Sequence, residues 1–346
     1  MLNLDSTIFL PFIIAFISTI VFTPLSLIFI KKAKIVDDPK KRKHPAILHK
    51  VPTPRGGGIP LFIGVLIPSL LFLPAEKITI TLFIAAFISL FVGIIDDKYD
   101  ISPYIRFLIN FVSASLVVWA GVQISFITNP FGGILNFSMV PIVGYLFTIL
   151  WIVWLMNMLN WSKGVDGQMP GIIAISGIVI GLLSLRFPAL DHYSLISAKI
   201  GFMLSGASLG FLIFNFFPAK IFPGYGATAI YFLLAVISIL SSAKLATAIL
   251  VMGIPMIDGI FTISRRILSG HSPFWHDKKH LHHLLLELGY SQRRIALFYW
   301  IISAILGALA LALGSQGKLF AIIMLVIIVG GGILFLQLSL KEEDDE

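Results

Sequence analysis

The sequence predicts an all-α, polytopic helical membrane protein of about 11 transmembrane helices, with the N-terminus outside and the C-terminus cytoplasmic. Three observations carry this expectation. Of 346 residues, 58% are hydrophobic, and the mean hydropathy is +0.97. Only 12% are charged, where a soluble domain carries about 25%. Apolar stretches recur at close to the roughly 20 residues that a helix needs to cross about 30 Å of hydrocarbon.

Eleven such stretches run over residues 7–30, 59–74, 78–95, 105–122, 139–159, 171–187, 195–214, 226–242, 244–263, 295–313 and 319–340. The eighth and ninth are separated only by Ser241-Ser242-Ala243-Lys244, so one broken helix is the alternative there. Orientation follows from the basic residues, which accumulate on the cytoplasmic side. Twenty of the 25 Lys and Arg residues lie in the segments after odd-numbered stretches, and five (Lys77, Arg186, Lys199, Lys244 and Lys318) lie in the even-numbered loops and the neighbouring stretch ends. The first stretch has neither a basic leader nor a cleavage site and reads as a retained span. With no cysteine, disulfide and thiolate chemistry are excluded. The net charge of +8 reads as topology and attraction to anionic membrane lipids, and nucleic acid is not an expected partner. The chain reads as a single integral-membrane domain, 1–346, with active-site loops at about 31–58, 96–104, 160–170, 215–225 and 264–294.

The first loop carries K-K-R-K-H at 40–44 and P-T-P-R-G-G-G at 52–58. The basic cluster reads as a topology anchor or an anion site. The glycines would let backbone N–H groups approach a ligand, with Arg55 forking onto a phosphate. Asp96-Asp97-Lys98-Tyr99-Asp100 closes the third stretch. Adjacent carboxylates repel unless a cation or proton separates them, and D-D-x-x-D offers oxygen ligands to a hard cation such as Mg²⁺. The plainer reading is a solvated acidic turn. Asn157 and Asn160 share a helical face, with Asp166 on the glycine-flanked turn beyond. Asn215 and Lys220 sit on a short rigid reversal. Asp258, in G-I-P-M-I-D, is an intramembrane acid whose structural partner would be Arg265 or Arg266, and Pro255 would open the helix there. The last loop holds His271, His276, Asp277, Lys278, Lys279, His280, His282 and His283. Without cysteine, and among basic neighbours, these imidazoles suit a diphosphate or sugar hydroxyls better than zinc.

In order, P-x-P-R-G-G-G, D-D-x-x-D, N-x-x-N-x-x-x-G-x-D-G, F-N-x-x-P-A-K-I-F, G-I-P-x-x-D followed by R-R-I-L-S-G, and H-L-H-H-L-L resemble the polyprenyl-phosphate N-acetylhexosamine-1-phosphate transferases (glycosyltransferase family 4). The H-L-H-H-L-L form looks like the N-acetylglucosamine-1-phosphate branch. The resemblance implies transfer of N-acetylhexosamine-1-phosphate from a UDP-N-acetylhexosamine to undecaprenyl (polyprenyl) phosphate, with release of UMP. It implies Mg²⁺, with Mn²⁺ as a substitute, an inner-membrane location and a cytoplasm-facing site, and it leaves room for a homodimer. Carried over by position, Asp96, Asp97 and Asp166 would be catalytic. Asp97, Asn160 and Asp258 would lie at the metal. Arg55, Asn157, Asn215, Arg266, His280, His282 and His283 would bind substrate.

Two positions depart from the family pattern. Lys163 stands where many members have Asp, and Tyr225 stands where G-D-x-G-S would place an acid. These read as an altered nucleotide or sugar subsite with the metal centre retained. The competing expectations are a phospho-MurNAc-pentapeptide transferase-like activity, a non-catalytic scaffold descended from the family, and a secondary transporter. The transporter fits poorly, because its acids would sit near the membrane midplane.

Overall fold

The computed structural model describes residues 5–37, 52–186, 192–240, 245–275 and 277–345. A π-helical turn, Asp5–Phe9, leads into α1 (Leu10–Lys32). β1 (Val36–Asp37) pairs antiparallel with β2 (Thr53–Pro54). Next come α2 (Gly58–Phe72), α3 (Lys77–Tyr99) and α4 (Pro103–Ala120), then the antiparallel pair β3 (Phe126–Thr128) and β4 (Ile134–Asn136). The chain continues through α5 (Pro141–Trp161), α6 (Gln168–Ser184), α7 (His192–Asn215), α8 (Thr228–Leu240), α9 (Leu245–Val251), α10 (Gly253–Leu268), α11 (Leu281–Glu287) and α12 (Gln292–Ala312). It ends with α13 (Ser315–Leu325), a π turn Val326–Gly330, and α14 (Gly331–Asp345).

Each of the eleven apolar stretches falls on helix, but among the described residues they are not eleven equal spans. Seven runs are long and apolar enough to cross a membrane: Thr7–Lys32, Lys77–Tyr99, Pro103–Ala120, Pro141–Trp161, His192–Asn215, Gln292–Ala312 and Ser315–Leu340. α9 and α10 form an eighth only as a pair bent by 86°. α2, α6 and α8 are apolar but shorter. The described residues of α8 are buried almost throughout against α3, α5 and α7, so protein rather than lipid surrounds them. The basic cluster 40–44 and the 241–244 turn lie outside the described residues.

The bend between α9 and α10 falls at Met252, not at the proline. Pro255 sits in the first turn of α10, where a missing N–H breaks no helical hydrogen bond. α10 also runs beyond the expected end at 263 and carries Arg265 and Arg266 in its last turn, where cations suit the helix dipole.

In lipid, helix association depends on close packing and polar contacts rather than on hydrophobicity. Both are present. A methyl group on Gly177 of α6 would strike the carbonyl of Gly201 on α7, and one on Gly201 would lie 2.7 Å from the carbonyl of Gly177. Ser205 of α7 donates to Ala174 O of α6 at 2.7 Å, Trp151 of α5 donates to Ser238 of α8 at 2.9 Å, and Ser89 and Ser113 join α3 to α4 at 2.9 Å. Such interhelical bonds average about 0.6 kcal/mol each, so steric fit does most to set the helix spacing.

Gly177→Leu is therefore expected to lower the thermal unfolding midpoint of the detergent-solubilised protein sharply. Gly314→Ala, at a position with open space around it, should leave the midpoint unchanged.

Candidate active site

Two glycine-containing segments zip together at one end of the bundle. Phe222 N donates to Pro54 O at 2.8 Å, Gly57 N to Phe222 O at 3.0 Å, and Gly58 N to Pro223 O at 3.0 Å. The amides of Gly57 and Gly58, expected to be available to a ligand, are thus spent on chain–chain pairing. Their glycines are needed because nothing larger fits. A Cβ on Gly58 would fall on the backbone of Gly226, and one on Gly93 of α3 would lie 2.5 Å from Gly226 Cα.

The adjacent acids point to different partners. Asp97 Oδ1 accepts from Tyr225 N at 2.7 Å and Oδ2 from Gly226 N at 3.3 Å, and Arg55 Nε pairs with Oδ1 at 3.2 Å. Asp96 Oδ1 accepts from Arg106 Nε at 2.6 Å and from Ile101 N at 3.1 Å. The other arm of Arg106 holds Asp100 at 2.6 Å. The repulsion inherent in D-D-x-x-D is thus relieved by two arginines on opposite sides. Arg106 carried no expected role beyond its charge, and the only signal for it is its place in the first turn of the helix after the acids.

Asp166 and Asn215 act between loops. Asp166 Oδ2 accepts from Ala219 N at 2.9 Å. Asn215 Oδ1 accepts from Gly167 N at 3.0 Å, while its amide donates to Ile221 O at 2.9 Å. Asp258 accepts from Leu281 N at 2.9 Å and from His280 Nδ1 at 2.8 Å. Its partner is therefore His280 and not an α10 arginine. Arg265 and Arg266 instead both reach Asp277 Oδ2 at 2.9 Å, and Arg266 also donates to Pro273 O at 2.7 Å.

These contacts surround one cavity of about 210 Å³, lined by Arg55, Asp96, Arg106, Asn157, Asn160, Lys163, Tyr225, Arg266, Asp277, His280, His282 and His283, with Phe274, Trp275 and Trp161 as aromatic wall. Of the expected residues, Asp97, Asp166, Asn215 and Asp258 are outside this lining. They hold the loops and side chains that form it. Asn157 donates to Val153 O at 2.8 Å. The Oδ1 of Asn160 is buried and, among the described residues, accepts no hydrogen bond. Lys163 Nζ donates to Gly224 O at 2.6 Å and lies 5.7 Å from the Tyr225 ring, whose other neighbour is the Arg106 guanidinium at 5.3 Å. Burial holds the Lys163 ammonium down at about 7, against the pull of Asp97. The Tyr225 hydroxyl accepts from Asn110 at 3.3 Å, and burial pushes its pKa up.

His282 and His283 are neutral. Burial and the neighbouring imidazoles push His282 well below its usual pKa and His283 down to about 4. They can offer neutral N–H groups and lone pairs, not positive charge. A Cβ on Gly164 would collide with His282 Nε2, so that glycine makes room for the ring. Burial would raise Asp277, but the Lys279 N–H and the two arginines outweigh it and hold the carboxyl at about 2.

Among the described residues, no three His, Cys, Asp or Glu side chains cluster as a metal cage. Mg²⁺, however, is commonly held by one or two protein oxygens together with substrate phosphates and water. The orphaned Asn160 Oδ1 and the cavity-lining Asp96 fit that smaller donor set.

The chain is polytopic and helical, with a polar cavity at one end of its bundle. Residues 79–242 match the profile of glycosyl transferase family 4, and the chain belongs to that family. It is 32% identical to the "Probable undecaprenyl-phosphate N-acetylglucosaminyl 1-phosphate transferase" of Bacillus subtilis, over 92% of this chain and 89% of the relative. It is 30% identical to the "Decaprenyl-phosphate N-acetylglucosaminephosphotransferase" of Mycobacterium tuberculosis, over 86% of this chain and 81% of the relative. Identity is also 30% to the "Undecaprenyl-phosphate alpha-N-acetylglucosaminyl 1-phosphate transferase" of Haemophilus influenzae, over 95% and 91%.

The histidine environment sets a pH dependence. Because His283 titrates near 4 when folded and near 6.5 when unfolded, the unfolded chain takes up protons first as the pH falls. Stability is expected to drop between about pH 6.5 and 4. Thermal midpoints measured across that window should fall in the wild type and fall less in a His282→Gln, His283→Gln double variant.

Proposed function

We propose that the protein transfers N-acetylglucosamine-1-phosphate from UDP-N-acetylglucosamine to undecaprenyl phosphate and releases UMP. The observation that carries this reading is the single cavity in which Asp96, Asn160, Arg266 and His280 converge, in a chain similar over most of its length to transferases bearing that name. A lipid-phosphate oxygen attacks the phosphorus that carries the sugar. The new P–O bond forms as the pyrophosphate bridge breaks, and the bridging oxygen leaves with UMP.

The acceptor phosphate is already anionic near neutral pH, so bringing anions together is the main barrier. Arg266, held by Asp277, and the neutral His282 and His283 are placed to bind the diphosphate and sugar. Arg106 orients Asp96, whose carboxylate is placed to take the remaining proton of the lipid phosphate. Asp258 fixes the ring of His280 through Nδ1, leaving Nε2 for a ligand, in the manner of a carboxylate–histidine pair. Mg²⁺, or Mn²⁺ in its place, would be held by Asp96 and Asn160 and would supply neutralisation of phosphate charge. Both oxygens of Asp97 and of Asp258 are engaged elsewhere, so these acids serve the site by positioning. The excess of basic residues on the loops at this end supports a cytoplasm-facing site in the inner membrane.

Purified protein with UDP-N-acetylglucosamine, undecaprenyl phosphate and Mg²⁺ is expected to release UMP. Absence of UMP with every UDP-N-acetylhexosamine would overturn the reading. Asp96→Asn should lower kcat by about 10²–10⁴-fold. Asp258→Asn, acting through His280, should cost about 10–100-fold.

A further inference from the structure

We propose that Lys163 is an anion-binding residue that grips a phosphoryl oxygen of a substrate inside the cavity. The inference rests on the transferase reading and names a further contact within it.

The charge pairing around the cavity points to Lys163. Arg55 pairs with Asp97 at 3.2 Å and approaches Asp37 at 4.0 Å. Arg106 bridges Asp96 and Asp100, both at 2.6 Å. Arg266 pairs with Asp277 at 2.9 Å. Each lining arginine therefore has a carboxylate partner. Lys163, on the same lining, has none within ion-pair distance among the described residues. Its one hydrogen bond is to a neutral carbonyl, Gly224 O, which uses one of three ammonium donors. A buried cation with no counter-charge is costly, and the cost is relieved when an anion arrives.

The second departure reinforces the first. Tyr225 replaces an expected acid with a neutral phenol that presents its ring to Lys163 and Arg106. The cavity between Lys163, Arg266 and Asn160 thus suits a phosphate oxygen, from either the sugar nucleotide or the lipid headgroup.

The alternative role, a clamp that only fastens the Gly224 loop, needs the N–H donor but not the charge. Lys163→Gln keeps a donor and removes the charge, while Lys163→Arg keeps both. In full-length protein in detergent, the dissociation constants of UDP and uridine and the KM for undecaprenyl phosphate would be measured for each. Loss of a charge-assisted contact is expected to weaken UDP binding to Lys163→Gln by about tenfold or more, with uridine unchanged and Lys163→Arg close to wild type. If UDP is unaffected and the KM for undecaprenyl phosphate rises by a similar factor, the lipid phosphate is the anion gripped and the proposal stands. It is overturned if none of these values moves. It is also overturned if UDP and uridine weaken together with a fall in thermal midpoint, which marks a loop clamp. A wild type that binds and turns over its substrates while Lys163→Gln matches it sinks this assignment alone. A wild type that neither binds UDP nor releases UMP sinks the transferase reading as well.

Discussion

The site depends on compensating one carboxylate, Asp97, buried at the end of a membrane helix. It is satisfied by two backbone N–H groups of the Tyr225–Gly226 turn and by the guanidinium of Arg55. An uncompensated buried charge costs several kcal/mol, so these three segments are held in one arrangement. That arrangement in turn requires the close backbone contacts of Gly58, Gly93 and Gly224, the last of which leaves no room for a side chain against Asp97. A structural ion pair thereby fixes the walls of the cavity, and the second acid of the D-D-x-x-D motif sits behind them.

The same logic recurs around the cavity. Asp166 and Asn215 fasten the loop after α7, Asp258 fastens His280, and Asp277 fastens Arg266. Each buried acid in the membrane-rim loops is matched by donors, as the low dielectric demands. The polar groups that line the cavity with hydrogen-bonding capacity to spare are fewer than the motif residues: the Asp96 carboxylate, the Asn160 carbonyl oxygen, the imidazoles of His282 and His283 and the Lys163 side chain. Such a site recognises charge through a small number of pre-positioned donors and leaves the remaining charge balance to its ligands.

The membrane architecture serves this arrangement. α8 is sheltered by α3, α5 and α7, and the turn before it lies close to the α3 carboxylates. The break between α9 and α10 redirects α10 so that Asp258 and the two arginines at its end face the segment carrying Asp277 and His280. Irregular backbone at a membrane boundary is tolerated where protein or a polar cavity surrounds it, and both conditions hold here.

The sequence by itself determined the all-α membrane class, the eleven apolar segments and the identity of the polar residues that gather at one end, because hydropathy and motif order are local properties of the chain. It placed Asp96, Asn160, Arg266 and the histidines at the site, and they line the cavity. It could not assign partners. Whether Asp97 faces a ligand or a loop amide, whether Asp258 meets an arginine or His280, and whether the glycines after Arg55 serve a ligand or another backbone depend on which segments lie alongside, often more than 100 residues apart. Nor could it tell a lipid-facing helix from one sheltered by protein, because hydropathy alone does not say which of the two is the neighbour. Those choices were decided by tertiary packing, which alone determines where each buried charge finds its counterpart.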